Sequence, residues 1–141
     1  MTDQIYPCLW FDGQAQAAAQ FYCSIFKNSK IIADNQMVVN FELNGNRFMA
    51  LNGGPQFKFN EAISFVVNCE TQEEIDHYWY KLTADGGSEG NCGWLKDKYG
   101  ISWQIVPTIL PKLLSNRGKA QNVMQAFMKM KKFDIKALEN A

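Results

Sequence analysis

Two segments of this chain open in the same way, and that repetition restricts the fold more than any other feature. Residues 5–11 read as a strand that turns at Asp12-Gly13 into a helix over 14–26, where Ala18, Phe21, Tyr22 and Ile25 recur at helical spacing. Residues 62–68 read as a second strand, which turns at Cys69-Glu70 into a helix over 71–82 with Ile75, Tyr78, Trp79 and Leu82 as its apolar stripe. Thr71 and Glu74 have the spacing of a capping box. An offset of about 57 positions lays Tyr6 on Ile63, Leu9 on Val66, Ala18 on Ile75, Phe21 on Tyr78 and Ile25 on Leu82, apolar on apolar throughout.

Strands are expected after each helix. Residues 36–43 alternate Met37, Val39, Phe41 and Leu43 against Val38, Asn40 and Glu42, and Asn44-Gly45 is a strong two-residue hairpin signal into a strand over 47–51. Gly53-Gly54-Pro55 closes the first half. Residues 57–61 hold two phenylalanines and no serine or glycine tract, so they read as a connector between packed halves rather than a flexible linker. Residues 92–107 read as two short strands around a turn at 97–100. In the second of them Ile101, Trp103 and Ile105 share one face, Ser102, Gln104 and Val106 the other, and Pro107 ends the ladder for want of an N–H. Between helix and hairpin, Gly86-Gly87-Ser88-Glu89-Gly90 reads as a loop. Past Pro107 the period is helical: a short helix over 109–114, a longer one over 119–131 with Val123, Met124, Phe127 and Met130 inward, and a last turn or two over 133–138.

Length and charge narrow the function classes. At 141 residues the chain is expected to be one domain. Fourteen basic and fourteen acidic side chains cancel, leaving no basic face for nucleic acid; Lys129, Lys131 and Lys132 sit where a helix dipole favours cations. Cys8, Cys23, Cys69 and Cys92 are scattered with no C-x-x-C, and His77 is the single histidine, so a structural zinc site is not expected and the thiols read as reduced. No leader and no membrane-length apolar run is evident, so the expected compartment is the cytoplasm, with no membrane partner.

The words Leu9-Trp10-Phe11-Asp12-Gly13-Gln14-Ala15, Phe41-Glu42-Leu43-Asn44-Gly45, Ala50-Leu51-Asn52-Gly53-Gly54-Pro55, Phe65-Val66-Val67 and Cys92-Gly93-Trp94-Leu95-Lys96-Asp97 together carry a resemblance. The chain resembles the PhnB-like branch of the vicinal oxygen chelate superfamily, which also holds glyoxalase I, bleomycin-resistance proteins and extradiol dioxygenases. Members of this branch often carry the label 3-demethylubiquinone-9 3-methyltransferase. The resemblance implies an α+β fold of paired βαβββ modules forming a cup-shaped mixed sheet, with a C-terminal helical extension: module one about 1–56, module two about 57–107, and helices over 108–141. It also implies a homodimer.

The superfamily's enzymes carry metal ligands, typically histidine then glutamate, on the first and last strand of each module. Carried onto this chain, those positions fall at Ile5, Met49, Ala62 (or Ser64) and Gln104, none of them a histidine or carboxylate. No metal and no other cofactor is therefore expected. An S-adenosylmethionine site of the Rossmann kind is not expected either, since no strand leads through a glycine-rich turn into a helix. By strand alternation, Ile63, Phe65, Val67, Phe48, Trp103 and Ile105 pack under helices. The other face offers Val38 with a ligand-binding set of Asn40, Glu42, Arg47, Met49, Ser64, Ser102 and Gln104. The reading is a metal-free small-molecule-binding protein of unknown ligand, with no catalytic residue assigned. The alternative is a glyoxalase- or dioxygenase-type enzyme with a non-standard site, using Glu42 as base and Arg47 or Lys96 to steady an anion. Residues 31–37 pass almost directly to the next strand where relatives carry a longer loop, so any lid over the cavity is expected to be short.

Overall fold

Alternating burial along the strands builds each sheet, and the two sheets belong to separate compact units that meet in sequence between Lys58 and Phe59. The computed structural model describes residues 5–141. In the first unit β1 (Cys8–Phe11), α1 (Ala15–Ile25), β2 (Lys30–Asp34), β3 (Val38–Leu43) and β4 (Asn46–Asn52) follow in order. The strands lie β1-β4-β3-β2, with β1 parallel to β4 and the other pairs antiparallel. Leu9, Phe11, Val39, Phe41, Leu43, Phe48 and Ala50 are buried, as are Ala18, Ala19, Tyr22 and Ile25 of α1. Rings knit the helix to the sheet: Tyr22 lies 6.5 Å from Phe41, and Phe41 lies 5.5 Å from Phe48. Asn44 and Gly45 make the β3–β4 hairpin with φ of 53° and 82°, the left-handed pair that a two-residue turn of this kind requires. The first turn of α1 has no side-chain cap of its own; instead Asn52, at the end of β4, accepts the Ala15 N–H at 2.8 Å.

Three expectations for this unit are corrected. β1 starts at Cys8 rather than residue 5: the Pro7 carbonyl accepts from Met49 N–H, but proline has no N–H to extend the ladder, and Ile5 is 93% exposed. Met37 lies outside β3 and is exposed. The direct passage over residues 31–37 holds a strand, β2, at the sheet's edge. All five of its residues are exposed and a register shift falls between Ile31 and Ala33, so it carries no alternation to read.

The second unit repeats the plan with β5 (Ser64–Cys69), α2 (Gln72–Thr83), a single helical turn at Ala84–Gly86, β6 (Ser88–Glu89), β7 (Trp94–Lys96) and β8 (Ser102–Pro107). The order is β5-β8-β7-β6, with β5 parallel to β8. Ile75, Trp79 and Leu82 of α2 are buried, as are Leu95, Trp103 and Ile105 of the sheet. The Thr71–Glu74 capping box is present, both halves of it. Asp97, 2% exposed, organises the β7–β8 turn: one carboxylate oxygen accepts the N–H groups of Tyr99 and Ile101, and the other accepts the Trp103 indole N–H at 2.9 Å. The segment read as a glycine-rich loop contains β6, two residues long and therefore below any periodicity signal. β5 starts at Ser64, which leaves Ala62 and Ile63 outside it; Ile63 is 71% exposed instead of packing under a helix.

Three helices follow: α3 (Ile109–Ser115), α4 (Ala120–Phe127) and α5 (Ile135–Glu139). The helix expected over 119–131 stops at Phe127. Val123 is buried, whereas Met124 is 47% exposed instead of inward. The segment after α4 docks on the β6–β7 turn, where the Cys92 and Gly93 N–H groups donate to the Met130 and Lys131 carbonyls at 2.8 Å. Gln72 of α2 clasps the same segment, donating to the Phe133 carbonyl and accepting from Ile135 N–H, both at 2.9 Å. Lys132 pairs with Asp76 at 2.6 Å.

The duplication is real in topology but not at one constant offset. Ala18 and Ile75, and Ile25 and Leu82, keep the 57-residue spacing in the helices, while the pairs Phe11–Asn52 and Cys69–Pro107 place the first strands 58 apart and the last strands 55 apart. One residue of slip reverses a strand's faces, so Leu9 is buried where Val66 is 55% exposed.

Candidate functional site

On the first sheet, the face turned away from α1 carries Val38, Asn40, Glu42, Arg47 and Met49, all half-buried. Asn40 opposes Met49, and Glu42 opposes Arg47. Arg47 turns its guanidinium to Asn40, donating to Oδ1 at 3.1 Å, and lies 4.6 Å over the Tyr6 ring. Its Nε is buried without a partner. The cross-strand neighbours of Glu42 are two cations, Arg47 and Lys30. This face is a polar surface built around one arginine.

The second sheet carries the other three expected residues. Ser64 and Ser102 are partners across the parallel β5–β8 pair, and Gln104 donates from Nε2 to Ser64 Oγ at 2.9 Å. The side chains of Ser64 and Gln104 are therefore bonded to each other. Ser102 does not share in this: it is 1% exposed and its hydroxyl has no hydrogen-bond partner. A buried, unpaired hydroxyl costs about 1–3 kcal/mol, which a ligand group can recover.

Ser102 lines a pocket of about 250 Å³ whose other walls are Glu61, Ser88, Glu89, Gly90, Trp94, Leu95 and Lys96. Lys96 is the antiparallel partner of Ser102 and forms an ion pair with Glu61, whose carboxyl is pushed below its ordinary range by the lysine's hydrogen bond and charge. Glu89 accepts the indole N–H of the fully buried Trp79 at 2.6 Å, which anchors the carboxylate at the rim. Gly90 admits no side chain, because a Cβ there would lie 2.8 Å from the Trp94 carbonyl oxygen. Of the expected ligand set only Ser102 reaches this pocket. Strand alternation does not find Glu61, Ser88, Glu89 and Trp94, because a loop and short strands deliver them; Asn40, Glu42, Arg47 and Met49 lie in the first unit.

The family described as 3-demethylubiquinone-9 3-methyltransferase matches residues 3–106. The chain belongs to that family. A solved structure from Bacillus cereus, carrying the same family label and the name PhnB, is 34% identical; the match covers 75% of this chain and all of that one, with a TM-score of 0.69. A glyoxalase/bleomycin resistance protein from Albidiferax ferrireducens is 12% identical over 72% of this chain and 95% of its own, with a TM-score of 0.55. The fosfomycin resistance protein FosX of Listeria monocytogenes, complexed with manganese(II) and sulfate, is 16% identical over 82% of this chain and 97% of its own, with a TM-score of 0.58. These two likenesses show the fold alone. No match is found among proteins with curated descriptions.

The metal of the FosX structure provides a test of this family member's donor set. Met49 and Gln104 stand at matching places on β4 and β8, opposite Cys8 and Val66 on the parallel strands. A thioether, an amide, one thiol and an alkyl group do not make the imidazole and carboxylate set that a hard divalent ion needs. Ile5 and Ala62 lie outside the strands. Among the described residues, no three histidine, cysteine, aspartate or glutamate side chains come together in a way that could hold a metal ion. His77 is exposed on α2. The residues do not fit the metal.

Proposed function

We propose that this chain is a small-molecule-binding protein of the glyoxalase/bleomycin-resistance superfamily that holds its ligand without metal chelation, in the pocket of its second unit. The observation that carries this reading is Ser102: a hydroxyl on a central strand, buried, unpaired and lining a cavity with an indole and a leucine on its walls. Apolar walls supply burial and a few fixed polar atoms supply orientation, the ordinary division of labour in a ligand site. Methyl transfer from S-adenosylmethionine, named in the family's description, draws no support from the fold, since the sheets are mixed and four-stranded and β5 enters α2 through Glu70-Thr71 without a glycine.

The test is a pair of titrations on protein treated with chelator and dialysed. The neutral fluorophore N-phenyl-1-naphthylamine is expected to bind saturably at one site per chain. Manganese(II), zinc(II), nickel(II) and iron(II) are expected to give no stoichiometric heat in calorimetry. Tight binding of one metal per chain, or a fluorophore site that forms only after metal is added, contradicts the proposal.

A further inference from the structure

One face of the second sheet gathers its polar groups in a line. Ser88 on β6 pairs with Lys96 on β7, and Lys96 pairs with Ser102 on β8, so these three side chains stand in one cross-strand row on a single face. Trp94, two residues before Lys96 on β7, shares that face. All four residues line the pocket. Glu89 lines it too, but it is the strand partner of Leu95 and its carboxylate is bonded to Trp79 on the α2 side of the sheet, so its charge does not join the row. The row is an ammonium between two hydroxyls, and Ser102 brings to it a buried oxygen with no hydrogen-bond partner. Ammonium and hydroxyl both donate, and the acceptor that answers several donors at once is an oxyanion.

The chain's own contacts narrow the kind of oxyanion. The group that meets Lys96 is a carboxylate, that of Glu61, carried by the segment before β5. It leaves the Ser102 hydroxyl unpaired. Both ends of the pair are open to water, with side chains 43% and 60% exposed, and an exposed pair of this kind is readily exchanged for another partner. A ligand carboxylate that takes Lys96 from Glu61 and also meets Ser102 makes one hydrogen bond more than Glu61 does.

We propose that the pocket binds a small organic carboxylate, its oxygens set against the Lys96 ammonium and the Ser102 hydroxyl and its carbon skeleton along Trp94, and that Glu61 holds the lysine until the ligand displaces it. This rests on the reading of the pocket as the ligand site and adds the chemical class of the ligand. The volume of about 250 Å³ lies below the range of about 300–1,000 Å³ typical of drug-sized ligands, so the carboxylate is small.

Three probes of one shape separate the classes: phenylacetate, 2-phenylethanol and 2-phenylethylammonium, titrated calorimetrically into the full chain at neutral pH. Phenylacetate is expected to bind at least about fivefold more tightly than the alcohol, and the ammonium more weakly than either. Glu61→Gln removes the competing carboxylate and is expected to tighten phenylacetate about threefold while leaving the alcohol unchanged. Lys96→Gln is expected to bring phenylacetate down to the affinity of the alcohol. Both side chains are exposed, so neither substitution disturbs the core. Alcohol or ammonium binding best to the native chain overturns the carboxylate assignment while leaving the pocket reading intact, as does a Glu61→Gln chain that binds phenylacetate no more tightly than the native one. So does a set of probes that all fail while N-phenyl-1-naphthylamine still binds. Failure of the probes and the fluorophore together overturns both.

Discussion

Ser102 and Asp97 sit close together on either side of the β7–β8 turn and represent opposite economies of burial. The carboxylate of Asp97 is buried at 2% exposure with three N–H donors on it, two from the backbone and one from Trp103. Removing it strands those donors inside the turn, so Asp97→Ala is expected to lower unfolding free energy by about 3 kcal/mol, read by urea denaturation. Ser102→Ala removes a hydroxyl that has no partner and is expected to raise stability by about 1 kcal/mol while weakening binding of the fluorophore. A variant that binds less and is also less stable would show that the hydroxyl is satisfied in the folded chain. Single residues are legible in the sequence where alternation governs: period alone puts Ser102 and Gln104 on the same face of β8. Alternation does not show that Gln104 is bonded to Ser64 and Ser102 left unpaired, because that depends on the register of two strands far apart in sequence.

Among the elements, the helices α1, α2 and α3 are legible because the helical period of their apolar residues is clear, and α2 also carries a visible capping box. β2 and β6 are not legible, being an exposed edge strand and a two-residue strand, and the end of α4 gives no stop signal before Phe127. The segment following α4 is held by Gly93 as much as by its own residues. Gly93 has φ of +83° and a Cβ there would lie 2.4 Å from the Phe133 ring, so Gly93→Ala is expected to cost about 2 kcal/mol or more and to loosen residues 130–135 in hydrogen exchange. The Asp76–Lys132 pair closes the same junction. Hydrogen bonds from Lys132 and Gln72 hold the Asp76 carboxyl below its ordinary value of 3.8. The unfolded chain therefore binds the proton more readily, and the pair's contribution is complete above 3.8 and is lost as the pH falls through the lower, folded value. Urea midpoints measured across that acid range are expected to fall less steeply in Asp76→Asn than in the native chain; equal slopes would mean that the pair does not stabilise the junction.

For the whole molecule, duplication makes the fold class readable from the residues alone, and the same duplication, taken at one constant offset, misplaces the faces of the first strands. Helices keep the 57-residue offset because their stripes are fixed against a sheet, whereas the first strands stand 58 apart and the last 55 apart because the turns differ in length. Counting from one half to the other therefore puts Leu9 on Val66, one pleat from the true equivalence. The donor types remain wrong for a hard metal at either count. No helix among the described residues is long and apolar enough to cross a membrane. What stands to be tested above all is entry of a small organic molecule into the second unit's pocket without metal. Three of the four tryptophans report on it separately, since Trp94 lines the pocket and Trp79 is bonded to Glu89 in its lining, while Trp10 belongs to the first unit, bonded to the Gly54 carbonyl. The most direct measurement is fluorine NMR of chelator-treated protein carrying 5-fluorotryptophan, titrated with N-phenyl-1-naphthylamine. The Trp94 resonance is expected to move first and furthest, with Trp79 following and Trp10 unmoved. A shift confined to Trp10, or shifts that appear only when manganese(II) is added, would contradict metal-free binding in this pocket.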